Sequence, residues 1–140
     1  IQATDISDLI LEKAKSGIYS SMEAHRGLDA HYLHKYFDHI EKGAYQIKPA
    51  IRKMVNFSHH NLVGAWPFYS KFDLIMLRNV LIYFKQDVKD KVLAKMHQQL
   101  NSSDSVLILG AAESIYLNDL YKLVPLDKIS YYKPNTLVKV

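Results

Sequence analysis

The chain alternates short apolar runs with longer stretches in which apolar residues recur at helical spacing. An almost uninterrupted apolar run at residues 72–77, broken only by Asp73, predicts a strand buried on both faces at the middle of a parallel sheet. Arg78 and Asn79 follow directly, where the carboxyl end of such a strand meets solvent. Because open α/β sheets bind ligands outside the carboxyl ends of their strands, this pair is a candidate binding site. The alternative, an Asn that turns the chain beside a surface Arg, fits the position equally well.

The beginning of the chain reads as a strand followed by a helix. Residues 2–6 predict a short strand that ends in an acid, Asp5. Ser7 and Gly17 are of the residue types preferred just before and just after a helix. In nucleotide-binding α/β folds, a carboxylate at the end of the second strand accepts hydrogen bonds from ribose hydroxyls. Asp5 is placed for that role, although an Asp at a strand end also commonly turns the chain.

The second half of the chain continues the alternation of helices and strands. A helix is predicted to begin near Gln86, and residues 105–109 predict the next buried strand. Residues 115–124 predict a helix and a loop, and residues 129–133 and 137–140 predict a closing antiparallel pair. This order of elements favours the α/β fold class, with a doubly wound, mainly parallel sheet.

Residues 18–57 interrupt that alternation. The pattern predicts a helix from Asp29 to Gly43 and a short strand at residues 44–48 that Pro49 ends. A connection of this length between two strands of one sheet is too long for an ordinary loop. It therefore predicts an inserted small subdomain at residues 18–57.

Composition narrows the class of protein. At 140 residues and 49% hydrophobic, the chain is expected to form one domain. Its 18 basic and 14 acidic residues give a net charge of +4, which favours acidic partners. The basic residues are scattered, so nucleic acid is not an expected partner. No apolar run approaches the roughly 20 residues of a membrane span, so membrane insertion is not expected, and no secretory signal is visible. Zero cysteines exclude disulfides and leave the cytoplasm as the default location.

Four segments carry a resemblance to a known family. RNVLIYF follows FDLIML at residues 72–84, ATDI lies at residues 3–6, NLVGAWPF at residues 61–68 and GAAES at residues 110–114. Together they resemble the C-terminal part of the CheR-type chemotaxis methyltransferases, which transfer a methyl group from S-adenosylmethionine to receptor glutamates. The resemblance implies a Rossmann-like class I methyltransferase sheet, truncated at its N-terminal side. Residues 1–140 would belong to one such domain, with a small antiparallel β-subdomain inserted at residues 18–57.

The resemblance also implies which residues hold the cofactor. Asp5 corresponds to the family's second-strand acid and is expected to bind the ribose. Asn61 and Leu62 are expected beside the adenine; without the resemblance, a strand-end Asn and a core Leu would be preferred. Arg78 and Asn79 are expected at the reacting end of the pocket. No catalytic residue is predicted, because a glutamate carboxylate is already ionised at neutral pH and methyl transfer depends mainly on alignment.

Tyr83 of the signature is expected to serve packing. The seven histidines are accompanied by neither cysteine nor an HExxH spacing, so no metal site is predicted.

Two features depart from the family pattern. GAAES stands where family members commonly have GHSES, so two alanines replace a His and a Ser near the expected site. This departure motivates an alternative function, a non-catalytic binding or signalling module of the same fold. The five glycines do not form the Gly-rich turn that such a fold uses at its cofactor. The chain alone is therefore expected to bind the cofactor weakly and to be inactive, and an exposed sheet edge makes association of copies possible.

The resemblance implies the partners as well. They are a methyl-accepting chemotaxis receptor with an acidic helical substrate region and, at the inserted subdomain, a possible peptide tether. The product formed from the cofactor would be S-adenosylhomocysteine. A third alternative, methylation of nucleic acid or of a small molecule, would use the same fold.

Overall fold

The computed structural model describes residues 1–67, 70–115, 119–127 and 129–138. It is an α/β protein with parallel, antiparallel and mixed sheets. The chain forms two compact units, Ile1–Gly64 and Ala65–Val140.

Unit one contains a parallel strand pair joined through a helix. Strand β1 (Gln2–Asp5) pairs with β5 (Asn56–His59), with Asp5 opposite His59. Helix α1 (Asp8–Ser16) begins after Ser7, whose hydroxyl accepts a hydrogen bond from the Ile10 N–H at 3.4 Å. It ends at Gly17, whose φ of 65° is the left-handed conformation that glycine adopts without strain. The strand and helix predicted at the start of the chain are thus confirmed.

The remainder of unit one is a three-stranded antiparallel sheet with short helices. Strand β4 lies at its centre, between β2 and β3. The elements are β2 (Ile18–Ser20), α2 (Ser21–His25), α3 (Ala30–Tyr36), β3 (Phe37–Ile40), β4 (Ala44–Ile47) and α4 (Pro49–Arg52).

The helix predicted from Asp29 to Gly43 is only partly right. Asp29 is its N-cap and accepts a hydrogen bond from the His31 N–H at 2.8 Å. The helix nevertheless ends at Tyr36, because the next four residues form β3 and pair with β4. Pairing between strands therefore overrides the helical spacing of the apolar residues in that stretch.

Unit two contains a four-stranded mixed sheet in the order β6-β7-β9-β8. Its elements are β6 (Leu74–Leu77), a 3-10 turn (Leu81–Tyr83), α5 (Gln86–Gln99), β7 (Val106–Leu109), β8 (Tyr121–Leu126) and β9 (Ile129–Pro134). The two strands that α5 connects are parallel, with Leu77 opposite Leu109. Leu107, Val92 and Leu93 are among its buried core side chains. The strand predicted at residues 105–109 and the helix near Gln86 are confirmed.

The end of the chain differs from its prediction. Strand β9 pairs antiparallel with β7 and with β8, which begins in the segment predicted as helix and loop. Of the predicted partner segment, residues 137 and 138 lie in a turn, and 139 and 140 lie outside the described residues. The pairing runs from Tyr121 opposite Pro134 to Leu126 opposite Ile129. Pro125 is accommodated because β8 is an edge strand of this sheet, where a residue without an N–H is tolerated.

The burial predicted for β6 is also wrong. Leu74 and Met76, on one face of the strand, are 50% and 61% exposed, whereas Leu77 on the other face is buried. The reason is topological: β6 stands at the end of its four-stranded sheet rather than at the middle. Its apolar run therefore reflects one buried face and one exposed apolar face.

Candidate functional site

The parallel pair of unit one brings two predicted site residues to the same edge. Asp5 is the last residue of β1, and its backbone oxygen accepts a hydrogen bond from the His60 N–H at 3.0 Å. Asn61 follows immediately, at the carboxyl end of the neighbouring strand. The strand itself ends at His59, so Asn61 and Leu62 lie in the turn that follows it.

Both polar side chains at this edge also organise the local backbone. Asp5 Oδ1 accepts a hydrogen bond from the Ser7 N–H at 2.8 Å, at the entry to α1. Asn61 Oδ1 accepts one from the Val63 N–H at 3.0 Å and so fixes the following turn. The turn-forming role that sequence alone left open for Asp5 is therefore present, and it holds the carboxylate at the strand end.

The parallel pair of unit two places the other two predicted residues at a comparable edge. Arg78 and Asn79 follow β6 directly, and both are exposed. Asn79 has a φ of 58°, in the left-handed region that Asn tolerates better than most residues with a side chain. The same edge carries the segment after β7, because Leu77 and Leu109 are opposite each other.

A carboxylate from that neighbouring segment holds the backbone around Asn79. Glu113 Oε2 accepts hydrogen bonds from the N–H groups of Asn79 at 2.7 Å and Gly110 at 2.8 Å. Its Oε1 accepts from Val80 at 2.8 Å and Leu81 at 2.7 Å. Oε1 also accepts a longer bond from the Ile82 N–H, at 3.4 Å. One ionised side chain thus satisfies four consecutive N–H groups after β6 and one after β7, as a bound anion would.

The electrostatics of Glu113 follow from these bonds. Partial burial alone raises its pKa, but hydrogen bonds from the N–H groups of Gly110, Asn79, Val80 and Leu81 favour the ionised form, and the net effect lowers the pKa from 4.5. At neutral pH the side chain is therefore a carboxylate, the form that accepts from all four donors.

Gly110 allows the close approach between the two segments. A Cβ placed there would lie 2.5 Å from Asn79 Oδ1, 2.6 Å from Glu113 Oε2 and 2.9 Å from the Asn79 nitrogen. These separations are too short for real atoms, so only glycine fits between Asn79 and Glu113.

Sequence reasoning missed Glu113 because it attended to the two alanines of GAAES. In the structure Ala111 and Ala112 are exposed, and the contact between this segment and Asn79 is made by Gly110 and Glu113. Glu113 lies four residues beyond the end of β7, but nothing in the local sequence there indicates its distant backbone partners.

Tyr83 was expected to pack, and that expectation is wrong, because its side chain is 79% exposed against the described residues.

An open cavity of about 300 Å³ in unit one lies at the opposite, amino-terminal end of β5 and contains none of the predicted site residues. Among its lining residues are Lys15, Arg52 and Asn56.

In the described parts of the chain, no group of three His, Asp or Glu residues is arranged to hold a metal ion. Nor does any helix there have the length and apolarity needed to cross a membrane.

These features define an α/β protein whose parallel strands end in polar side chains, the class in which nucleotide cofactors bind beyond the strand ends. A model of the family described as CheR methyltransferase, SAM binding domain, matches residues 1–129. The chain therefore belongs to the CheR methyltransferase family, which confirms the resemblance seen in its motifs, and the cofactor that this family binds is S-adenosylmethionine.

Individual relatives agree with this assignment. The chain is 40% identical over 134 residues to a chemotaxis protein methyltransferase of Vibrio anguillarum, covering 95% of this chain and 48% of the relative. It is 41% identical over 125 residues to the chemotaxis protein methyltransferase Cher2 of Pseudomonas putida, covering 89% of this chain and 45% of the relative. A Listeria monocytogenes relative of the same description is 38% identical over 135 residues, with 95% and 49% covered. The chain spans about half the length of these relatives.

The structure thus places Asp5, Asn61 and Leu62 at the carboxyl-terminal edge of the β1–β5 pair. It places Arg78 and Asn79 at the corresponding edge of the β6–β7 pair, where Glu113 accepts the backbone hydrogen bonds. That all five bind one cofactor stays a prediction.

Proposed function

We propose that the chain is the cofactor-binding part of a protein-glutamate O-methyltransferase. Its substrates would be glutamate side chains of a methyl-accepting chemotaxis receptor, and its products glutamate methyl esters and S-adenosylhomocysteine. The observation that carries the proposal is the match of residues 1–129 to the family model, together with polar residues at the carboxyl ends of both parallel pairs.

The available side chains suit the parts of the cofactor. The Asp5 carboxylate is an acceptor for ribose hydroxyls, and it is held at the end of β1 by its bond to the Ser7 N–H. Asn61 offers amide and backbone groups to the adenine edge, while Leu62 offers an apolar surface to the ring. Arg78 and Asn79 would lie at the reacting end, where a cation also attracts the ionised substrate.

The reaction requires little acid–base chemistry. The cofactor supplies a methyl group on a positively charged sulfur. An oxygen of the glutamate carboxylate forms the new bond to the methyl carbon as the carbon–sulfur bond breaks, its electron pair passes to sulfur, and no proton is transferred. The protein's contribution is alignment of the two reactants and exclusion of water. No side chain of this chain is therefore assigned as a general base.

The surroundings of the site suit an acidic protein partner. The net charge of +4 favours approach of a glutamate-rich receptor helix. We also assign the sheet β2-β4-β3, within residues 18–57, as the inserted β-subdomain of a Rossmann-like methyltransferase domain. Its edge strands β2 and β3 can pair with an extended receptor peptide and so tether the enzyme. Such an enzyme would work in the cytoplasm, on the receptor's inner region.

Activity is expected to need polypeptide beyond these 140 residues. The five glycines are dispersed and form no Gly-rich turn for close approach of backbone to cofactor. The chain alone should bind the cofactor weakly; micromolar binding by the 140 residues in a calorimetric titration would contradict this point.

The proposal is tested by incubating the full-length protein with methyl-labelled S-adenosylmethionine and a receptor fragment. We expect label on the receptor that base releases as methanol, and none on a fragment whose methylated glutamates are changed to Gln. A protein that binds receptor but transfers no label would be the non-catalytic module. Label on RNA or on a metabolite, without base-labile ester, would favour the third alternative.

A further inference from the structure

The loop that carries Arg78 and Asn79 is held by one side chain from a different part of the chain. Four consecutive backbone N–H groups after β6, those of residues 79–82, all donate to Glu113, which lies 31 to 34 residues further along the sequence. Arg78 and Asn79 are exposed in this loop, whereas Leu81 is buried, and exposed loop residues have many alternative conformations. Convergence of four donors on one carboxylate selects one of these conformations.

The selected conformation is one that the backbone does not favour by itself. Asn79 has a φ of 58°, in the left-handed region that residues with a side chain adopt only rarely. Its N–H donates to Glu113 Oε2 at 2.7 Å, and its Oδ1 lies in the space that a side chain on Gly110 would occupy. The Glu113 carboxylate therefore opposes the intrinsic preference of Asn79, and Gly110 leaves room for the result.

We propose that Glu113 is a positioning residue for S-adenosylmethionine, which acts by keeping Asn79, and Arg78 beside it, in the orientation that binds the cofactor. The inference rests on the proposed function, because it assumes that Arg78 and Asn79 contact the cofactor. Glu113 itself touches the loop and not the ligand. Its effect is on the fraction of molecules whose loop is competent to bind, and the apparent dissociation constant rises as that fraction falls.

Two kinds of variant separate positioning from simple structural support. Glu113→Gln keeps the shape, but its amide nitrogen faces two of the five N–H groups, those of Asn79 and Gly110, and cannot accept their bonds. Gly110→Ala keeps the carboxylate and displaces Asn79 by steric overlap. Glu41→Gln, at an exposed Glu in unit one, removes the same charge and serves as the matched control.

The experiment measures binding of S-adenosylhomocysteine to the full-length protein and its three variants by calorimetry. Thermal melting under the same conditions identifies any variant that is unfolded at the assay temperature. Backbone NMR of the Asn79, Val80 and Leu81 amides, without ligand, reports the loop conformation. We expect both Glu113→Gln and Gly110→Ala to remain folded, to shift these amide resonances and to raise the dissociation constant about tenfold, with Glu41→Gln within twofold of wild type.

Two results would overturn the inference. Wild-type-like affinity in Glu113→Gln, with shifted loop resonances, would mean that loop position does not control binding, and it would leave the proposed function intact. Loss of affinity in proportion to the unfolded fraction would make Glu113 a purely structural residue. Absence of any binding by the wild-type protein would instead overturn the proposed function, and this inference with it.

Discussion

The five hydrogen bonds to Glu113, four short and one of 3.4 Å, allow its contribution to stability to be estimated. In Glu113→Gln the amide oxygen can replace Oε1 and keep the bonds from Val80 and Leu81. The amide nitrogen then faces the N–H groups of Asn79 and Gly110, which lose their acceptor. A hydrogen bond to a charged group contributes about 1.5–3 kcal/mol and a neutral one about 1 kcal/mol. Because this half-exposed site lets water replace part of the loss, we expect a destabilisation of about 2 kcal/mol at pH 7.

The same substitution should change how stability depends on pH. The pKa of Glu113 is lowered in the folded protein from 4.5, so its contribution is fully present above that value and is lost as the pH falls through the lower, folded-state pKa. The free energy of unfolding of the wild type should therefore approach that of Glu113→Gln progressively below about pH 4.5. The variant carries no titrating group at this position, so its own stability lacks that decline.

Urea unfolding followed by the fluorescence of Trp66, the single tryptophan, measures both effects in the 140-residue chain. Glu41→Gln is the control and should differ from wild type by less than about 0.5 kcal/mol at pH 7. The reasoning would be refuted if the free energies of unfolding of wild type and Glu113→Gln differed by less than about 0.5 kcal/mol at pH 7. It would also be refuted if their difference stayed constant from pH 7 to pH 4.

Three further substitutions test the packing around the two units. Leu107→Ala removes a fully buried core side chain and should cost about 2–5 kcal/mol in urea unfolding; a loss under 1 kcal/mol would contradict its place in the core. Tyr121→Phe removes a buried O–H that donates to the Leu93 oxygen at 2.8 Å, and we expect a loss of about 1–2 kcal/mol by thermal melting, whereas an unchanged midpoint would contradict that bond. Gly17→Ala should cost about 1 kcal/mol, because φ is 65° at the end of α1, and the urea midpoint should fall; an equal or higher midpoint would contradict that conformation.

The sequence predicted those helix ends and strand ends that are determined by residues a few positions away. Ser7 and Gly17 mark the ends of α1 because capping is decided within a few residues of each helix end. Asp29 likewise caps α3. The position of Arg78 and Asn79 at a strand end followed from the apolar run before them, and the structure places that end beside the end of β7.

The features that sequence did not predict depend on partners far along the chain. β3 and β8 are strands because they pair with β4 and β9, and neither apolar spacing nor propensity specifies that pairing. The exposed face of β6 follows from its edge position, which the apolar run does not encode. Glu113 was missed for a similar reason: a carboxylate that satisfies backbone N–H groups more than 30 residues away has no local signature.

The most direct test asks whether Asp5, Asn61 and Asn79 belong to one S-adenosylmethionine site. S-adenosylhomocysteine is added stepwise to the isotopically labelled full-length protein, and the backbone amide resonances of these residues are followed by NMR. If the three lie in one site, their resonances shift together and saturate with the same dissociation constant. Shifts confined to Asp5 and Asn61, with Asn79 unmoved at saturating ligand, would contradict a single site, and the absence of any shift would contradict cofactor binding.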